Sequence, residues 1–105
     1  MSDEDFQSIR DVTGVDNLVH HPTRLAILLF LMTHPVVTFP EIGTSLELTA
    51  GNLSSHMTKL ADAELIITEK KFVNQKPTTL LSITNLGRQA VDQYAETLRR
   101  ALKSI

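Results

Sequence analysis

The 105-residue chain contains no cysteine, which excludes disulfides, thiolate metal sites and thiol redox sensing. No apolar run approaches the ~20 residues needed to cross a bilayer; the longest lies between Arg24 and Thr33. The N-terminus, MSDEDFQ, is acidic where a signal peptide would be basic. No membrane association is therefore expected, and the lack of cysteine suits the cytoplasm. There are no internal repeats and no low-complexity segments. The length leaves no room for a second effector-binding or catalytic module, so one domain spanning residues 1–105 is expected. Hydrophobic residues at 42% and charged residues at 21% match average globular usage, which argues against disorder and against a fibrous fold.

The net charge of −2 argues, taken alone, against a nucleic-acid partner. Its distribution matters more. Residues 1–20 hold five acids (Asp3, Glu4, Asp5, Asp11, Asp16) against Arg10, whereas residues 50–88 hold five bases (Lys59, Lys70, Lys71, Lys76, Arg88) against Asp62, Glu64 and Glu69. The basic surplus is local and modest.

Phe6, Ile9, Val12, Val15 and Leu18 recur at steps of three, a spacing that a short N-terminal helix over residues 1–16 can use. The stretch HPTRLAILLFLMTHP carries one proline where helices tolerate it and another just past the end, which predicts a helix of about twelve residues. It is apolar nearly all round, so burial at the centre of the fold is expected. VVTF at 36–39 reads as a minimal strand, and Pro40 opens a two-turn helix, PEIGTSLEL, with Glu41 in its first turn. Thr49 caps a third helix over residues 49–64, only a few residues after the second, as in a helix-turn-helix. Beyond it the period changes to alternation: IITEKKFV, a polar turn NQKP, then TTLLSIT, a hairpin over residues 66–83. Thr84 or Asn85 caps a last helix over 85–105 with an apolar stripe through Leu86, Ala90, Val91, Tyr94, Leu98, Ala101, Leu102 and Ile105. The class expected is mainly α (α+β), ordered helix, strand, helix, helix, hairpin, helix, behind an N-terminal helical segment.

That order is the order of a winged helix-turn-helix domain. HHPTRLAILLFL, FPEIGTSLELTAGNLSSHMTKLADAELI and EKKFVNQKPTTLLSITNLGRQAV together resemble the small winged-helix transcriptional regulators of the MarR and ArsR groups, over roughly residues 17–95. The resemblance implies double-stranded DNA as partner and a wing that lies along the backbone or dips into a minor groove.

The residues themselves support a DNA-facing helix. In TAGNLSSHMTKL, Leu53, Met57 and Leu60 share a narrow arc and form the core side. Opposite them lie Gly51, Ser55, Thr58 and Asp62, flanked by Asn52, Ser54 and Lys59. This outer face has short side chains, so the helix can approach another surface closely. The major groove admits an α-helix and offers donors and acceptors to Ser54, Ser55 and Thr58. Asn52 can read adenine or bind phosphate, Lys59 suits a phosphate, and the N–H groups near Thr49, Ala50 and Gly51 can hold one at the helix start. His56, at the apolar border, either meets a phosphate or packs over Leu53 and Leu60. In the hairpin, Lys70, Lys71 and Lys76 surround a turn at Asn74 to Pro77 that includes Gln75. The absence of arginine there favours backbone contact over groove insertion.

A homodimer is expected from the terminal helices, through Phe6, Ile9, Val12, Val15, Tyr94, Leu98, Ala101, Leu102 and Ile105. Two recognition helices could then meet successive major grooves. No metal or cofactor is expected, because His20, His21 and His34 do not converge. The sequence marks no effector pocket. Catalysis is not expected: Ser55 and His56 diverge by about 100° on a helix and no acid orients the histidine. The alternative reading is a winged-helix module that binds protein instead of DNA, which the acidic N-terminus favours.

Overall fold

The computed structural model describes residues 2–105. Helix α1 (Asp3–Asp11) starts from a capping box in which Ser2 and Asp5 bond each other's backbone N–H. A single 3₁₀ turn (Val12–Gly14) follows. Helix α2 (Pro22–Thr33) has proline in its first turn and is capped by His21, whose Nδ1 accepts from the Thr23 N–H at 3.2 Å. Strand β1 (Val37–Thr38), helix α3 (Phe39–Ser45) and helix α4 (Ala50–Asp62) come next. Strands β2 (Ile66–Val73) and β3 (Lys76–Ile83) form the hairpin, and α5 (Asn85–Lys103) closes the chain.

The three strands make one antiparallel sheet ordered β1-β3-β2, with Val37 opposite Leu81 and Ile66 opposite Ile83. Val19, Ile27, Leu28, Leu31, Ile42, Leu53, Leu60 and Leu81 are fully buried. Their interdigitation seats α3, α4 and the sheet around α2, each such side chain contributing about 2 kcal/mol of burial. The architecture is a winged helix-turn-helix, mixed α+β, with N-terminal helices and a long C-terminal helix.

Several boundaries differ from expectation for identifiable reasons. Thr38 caps α3 by accepting from the Glu41 N–H, so Phe39 is helical and the preceding strand is only two residues long. Helix α4 ends before Glu64, which is left-handed at φ 62°. The α3–α4 turn runs through Glu47 at φ 54°, with Leu48 N–H donating to the Gly43 carbonyl. Helix α2 is not buried all round: Ile27, Leu28 and Leu31 face the core while Leu29 is 47% exposed. The hairpin turn is two residues, Asn74 and Gln75, both at positive φ, so Pro77 belongs to β3 opposite Phe72.

At the foot of the hairpin, Thr84 caps α5 by accepting from the Gly87 N–H at 2.9 Å. Its backbone N–H donates to the Leu65 carbonyl, and its hydroxyl lies 2.7 Å from the Glu64 carbonyl. A Cβ on Gly87 would stand 2.2 Å from the Leu65 carbonyl oxygen, whereas one on Gly51 would meet nothing within 4 Å. Gly87→Ala should therefore lower the unfolding free energy by about 1–3 kcal/mol through overpacking. Gly51→Ala should be neutral or stabilising by about 0.5 kcal/mol. Urea titration of both variants checks this, and equal losses at the two positions would refute it.

Candidate nucleic-acid interface

Helix α4 is held inward by Leu53 and Leu60, both fully buried, with Met57 packed at the core edge. Because the helix repeats every 3.6 residues, this seat turns the other side outward. Thr49, Ala50, Gly51, Asn52, Ser54, Ser55, Thr58 and Lys59 are all exposed. The Thr49 hydroxyl accepts from the Asn52 N–H at 3.1 Å, leaving its own proton free to donate. Thr58 differs: its hydroxyl donates to the Ser54 carbonyl at 3.0 Å, so what remains to it outward is acceptor capacity. The Ser54 and Ser55 hydroxyls and the Asn52 carboxamide have no hydrogen-bond partner among the described residues.

His56 is half-buried, and its ring stands 4.7 Å from that of His21, tilted by 51°. Its Nδ1 is buried without a hydrogen-bond partner. Burial holds its pKa below the ordinary histidine value, and positive charge on His21, Arg24 and Lys59 adds to the effect. The ring thus joins α4 to the start of α2. Arg24, one turn along α2, clamps the preceding loop by donating from Nε to the Leu18 carbonyl at 2.7 Å and from Nη2 to that of Asn17.

The wing is exposed from Ile67 to Pro77. Opposed residues of an antiparallel pair share a face, so Lys70 with Thr79 and Phe72 with Pro77 lie on one side. Lys71 with Thr78 and Val73 with Lys76 lie on the other. The three lysines therefore do not form one cluster, and Lys71 lies 3.5 Å from Glu69. Phe72, 77% exposed, is a side chain that the sequence reading passed over. The signal available was an aromatic two residues from a turn, in a strand with too little core beneath it.

Helix α1 packs along α5 of the same chain. Gly14, Val15 and Asp16 border a recess with Ala90, Gln93, Tyr94 and Thr97, and the Tyr94 hydroxyl is hydrogen-bonded to His20 Nδ1 at 2.6 Å. Further out, Glu4, Asp5 and Asp11 line a groove with Arg100 and Lys103, so the two helices run antiparallel with acids facing bases. Val12, Val15, Tyr94, Leu98 and Ala101 are half-buried in this pairing. Phe6 (53%), Ile9 (41%), Leu102 (63%) and Ile105 (95%) remain exposed. Among the described residues no group of three or more histidine or carboxylate side chains is disposed to hold a metal, and no helix is long and apolar enough to cross a membrane.

Comparison with known proteins gives four matches. A family model for a winged helix DNA-binding domain matches residues 23–102. An uncharacterized protein of Methanocaldococcus jannaschii is 32% identical over 82 residues, covering 78% of this chain and 89% of that one. Among solved structures, a transcriptional regulator homologue from Pyrococcus horikoshii superposes with a TM-score of 0.83 at 27% identity, covering 92% of this chain and 95% of its own. MarR superposes at 0.72 with 19% identity, covering 92% and 72%, a likeness of fold alone.

The His56 environment has a stability consequence. A histidine whose folded pKa lies below its unfolded value, ~6.5, binds fewer protons when folded. Its contribution is therefore full above that pH and is lost as pH falls through the folded value. Urea unfolding at pH 7 and pH 5 should show a loss of stability on acidification that is smaller in His56→Met. Equal losses in the two proteins would refute this account.

Proposed function

The chain belongs to the family of winged helix DNA-binding domains, and from that premise we propose that it is a transcriptional regulator of the MarR- and ArsR-like kind that binds duplex DNA as a homodimer. In this reading α4 enters the major groove and the β2–β3 wing lies along the backbone or in the minor groove. The observation that carries it is the uncovered side of α4, where the side chains of Asn52, Ser54 and Ser55 are exposed without intramolecular hydrogen-bond partners among the described residues. Ser54 and Ser55 can donate to or accept from base edges, and Thr58 can accept from the amino group of adenine or cytosine. Asn52 reads adenine or holds phosphate. Lys59, Lys70, Lys71, Lys76 and the free N–H groups after Thr49 neutralise phosphates, with Asn74 and Gln75 at the wing tip beside the backbone. His56 acts from behind this face, bracing α4 against α2. The reading assigns no catalytic residue, cofactor or metal, and names no effector.

Dimerisation is supported by shape and exposure. The molecule measures 60 × 24 × 21 Å with a radius of gyration of 16.2 Å, against about 13 Å for a compact chain of this length. The α1–α5 pair leaves Phe6, Ile9, Leu102 and Ile105 in water. A second copy of the same pair can cover them, closing a two-fold interface.

Two measurements test the proposal. Titration of a random-sequence duplex at two salt concentrations should show affinity falling with salt. The joint Lys59, Lys70, Lys71 and Lys76 to alanine variant should bind with a slope shallower by up to about seven, the contribution of eight phosphate contacts in the dimer. Salt-insensitive binding, or none at low salt, would instead favour a winged-helix module that binds protein. Equilibrium sedimentation at tens of micromolar should give a dimer that Leu102→Glu with Ile105→Glu dissociates. A native monomer would defeat the dimer.

A further inference from the structure

The wing tip carries an apolar pair that its own chain does not cover. Going inward from the turn, the first buried residues of the hairpin are Leu81 and Ile66, so the outer part of the wing stands clear of the core. In that part Phe72 is 77% exposed, and its cross-strand neighbour Pro77 is exposed as well. Val73 and Lys76 close a two-residue turn and so form a hydrogen-bonded pair. Phe72 and Pro77 are then the next, non-hydrogen-bonded pair, where side chains sit closest. The nitrogen of Pro77 faces away from β2, on a stretch of β3 beyond the end of β1, which pairs only with Leu80 and Leu81, so proline costs the sheet nothing there. The result is a ring paired with a pyrrolidine on one face of the blade. Lys70 is one pair further in on the same face, and Lys71 and Lys76 are on the other.

An apolar edge between lysines has a specific complement. The minor groove presents a floor of base edges between walls of deoxyribose, with phosphates along both rims, and proteins that enter it use phenylalanine and proline as apolar contacts. We propose that Phe72, supported by Pro77, is the groove-contacting residue of the wing, lying against the sugars and base edges of the minor groove while Lys70 meets a flanking phosphate. This rests on the DNA-binding reading above and adds to it a position that confers preference for sequence outside the stretch read by α4. The preference arises because a narrow A·T-rich groove and an easily opened pyrimidine–purine step accept an aromatic edge differently from stiff G·C-rich sequence.

The test is selection from a pool of random 30-base-pair duplexes with the native protein, Phe72→Ala and Phe72→Tyr. Native protein should enrich a central motif together with a compositional preference at a fixed distance on either side. Phe72→Ala should keep the central motif, lose the flanking preference and bind the native-selected duplex about tenfold more weakly with an unchanged salt slope. Phe72→Tyr should restore most of both. The exposed position predicts unchanged thermal unfolding in both variants. If Phe72→Ala retains native affinity and flanking preference, or if its loss comes with a changed salt slope, the inference is overturned while DNA binding stands. If the native protein enriches no duplex, the DNA-binding reading fails and this inference with it.

Discussion

The backbone around Leu65 is where four elements meet, and the functional parts take their positions from it. The Leu65 N–H donates to the carbonyl of Leu60 in α4, and its carbonyl accepts from the backbone N–H and the hydroxyl of Thr84. Gly87 lies so close to that carbonyl that no side chain fits. One short segment thus joins the end of α4, the first residue of β2, the last of β3 and the first turn of α5. Helix α4, the wing and the terminal arm share this origin, and their relative directions are set there.

What the junction orients, the core then holds. Leu53 and Leu60 lock the roll of α4 about its own axis, so the outward placement of Ser54, Ser55 and Thr58 follows from burial on the opposite side of the helix. His56 adds a brace at the border, where its ring meets His21 at the cap of α2. The Ser54 and Ser55 hydroxyls are free to rotate on a helix that is not, which under the proposed function lets them meet base edges as donor or as acceptor.

The residues made the type and order of the main elements legible, because each carried a local signal: Pro22 and Pro35 around α2, Thr49 before α4, Thr84 before α5, and the switch from a period near 3.6 to one of two at the hairpin. Less legible were the turns. Glu47, Glu64 and Gln75 all adopt positive φ without being glycine or asparagine, so their left-handed turns are imposed by the packing on either side and leave no mark in composition. The face assignment of α4 could be projected from helical periodicity. Strand alternation alone separates Lys70 from Lys71, but which of the two shares a face with Lys76 needed the hairpin register, which a one-residue difference in turn length reverses. The exposure of Leu29 and Phe72 was hidden for another reason: an apolar residue in a regular element reads as core until the extent of the core is known.

The unbroken course of α5 has a mechanical meaning. Its buried Gly87 and Val91 belong to the DNA-binding body, while its last turns belong to the arm beside α1, with no glycine or proline between them. Nineteen residues make a rod of about 28 Å. A tilt of about 10° at the Gly87 end moves the far end by about 5 Å, roughly one helical turn of travel. A change of angle too small to disturb packing at the junction is amplified by leverage at the other extremity. The same rod, held at its tip, converts a displacement there into a rotation of the whole body that carries α4.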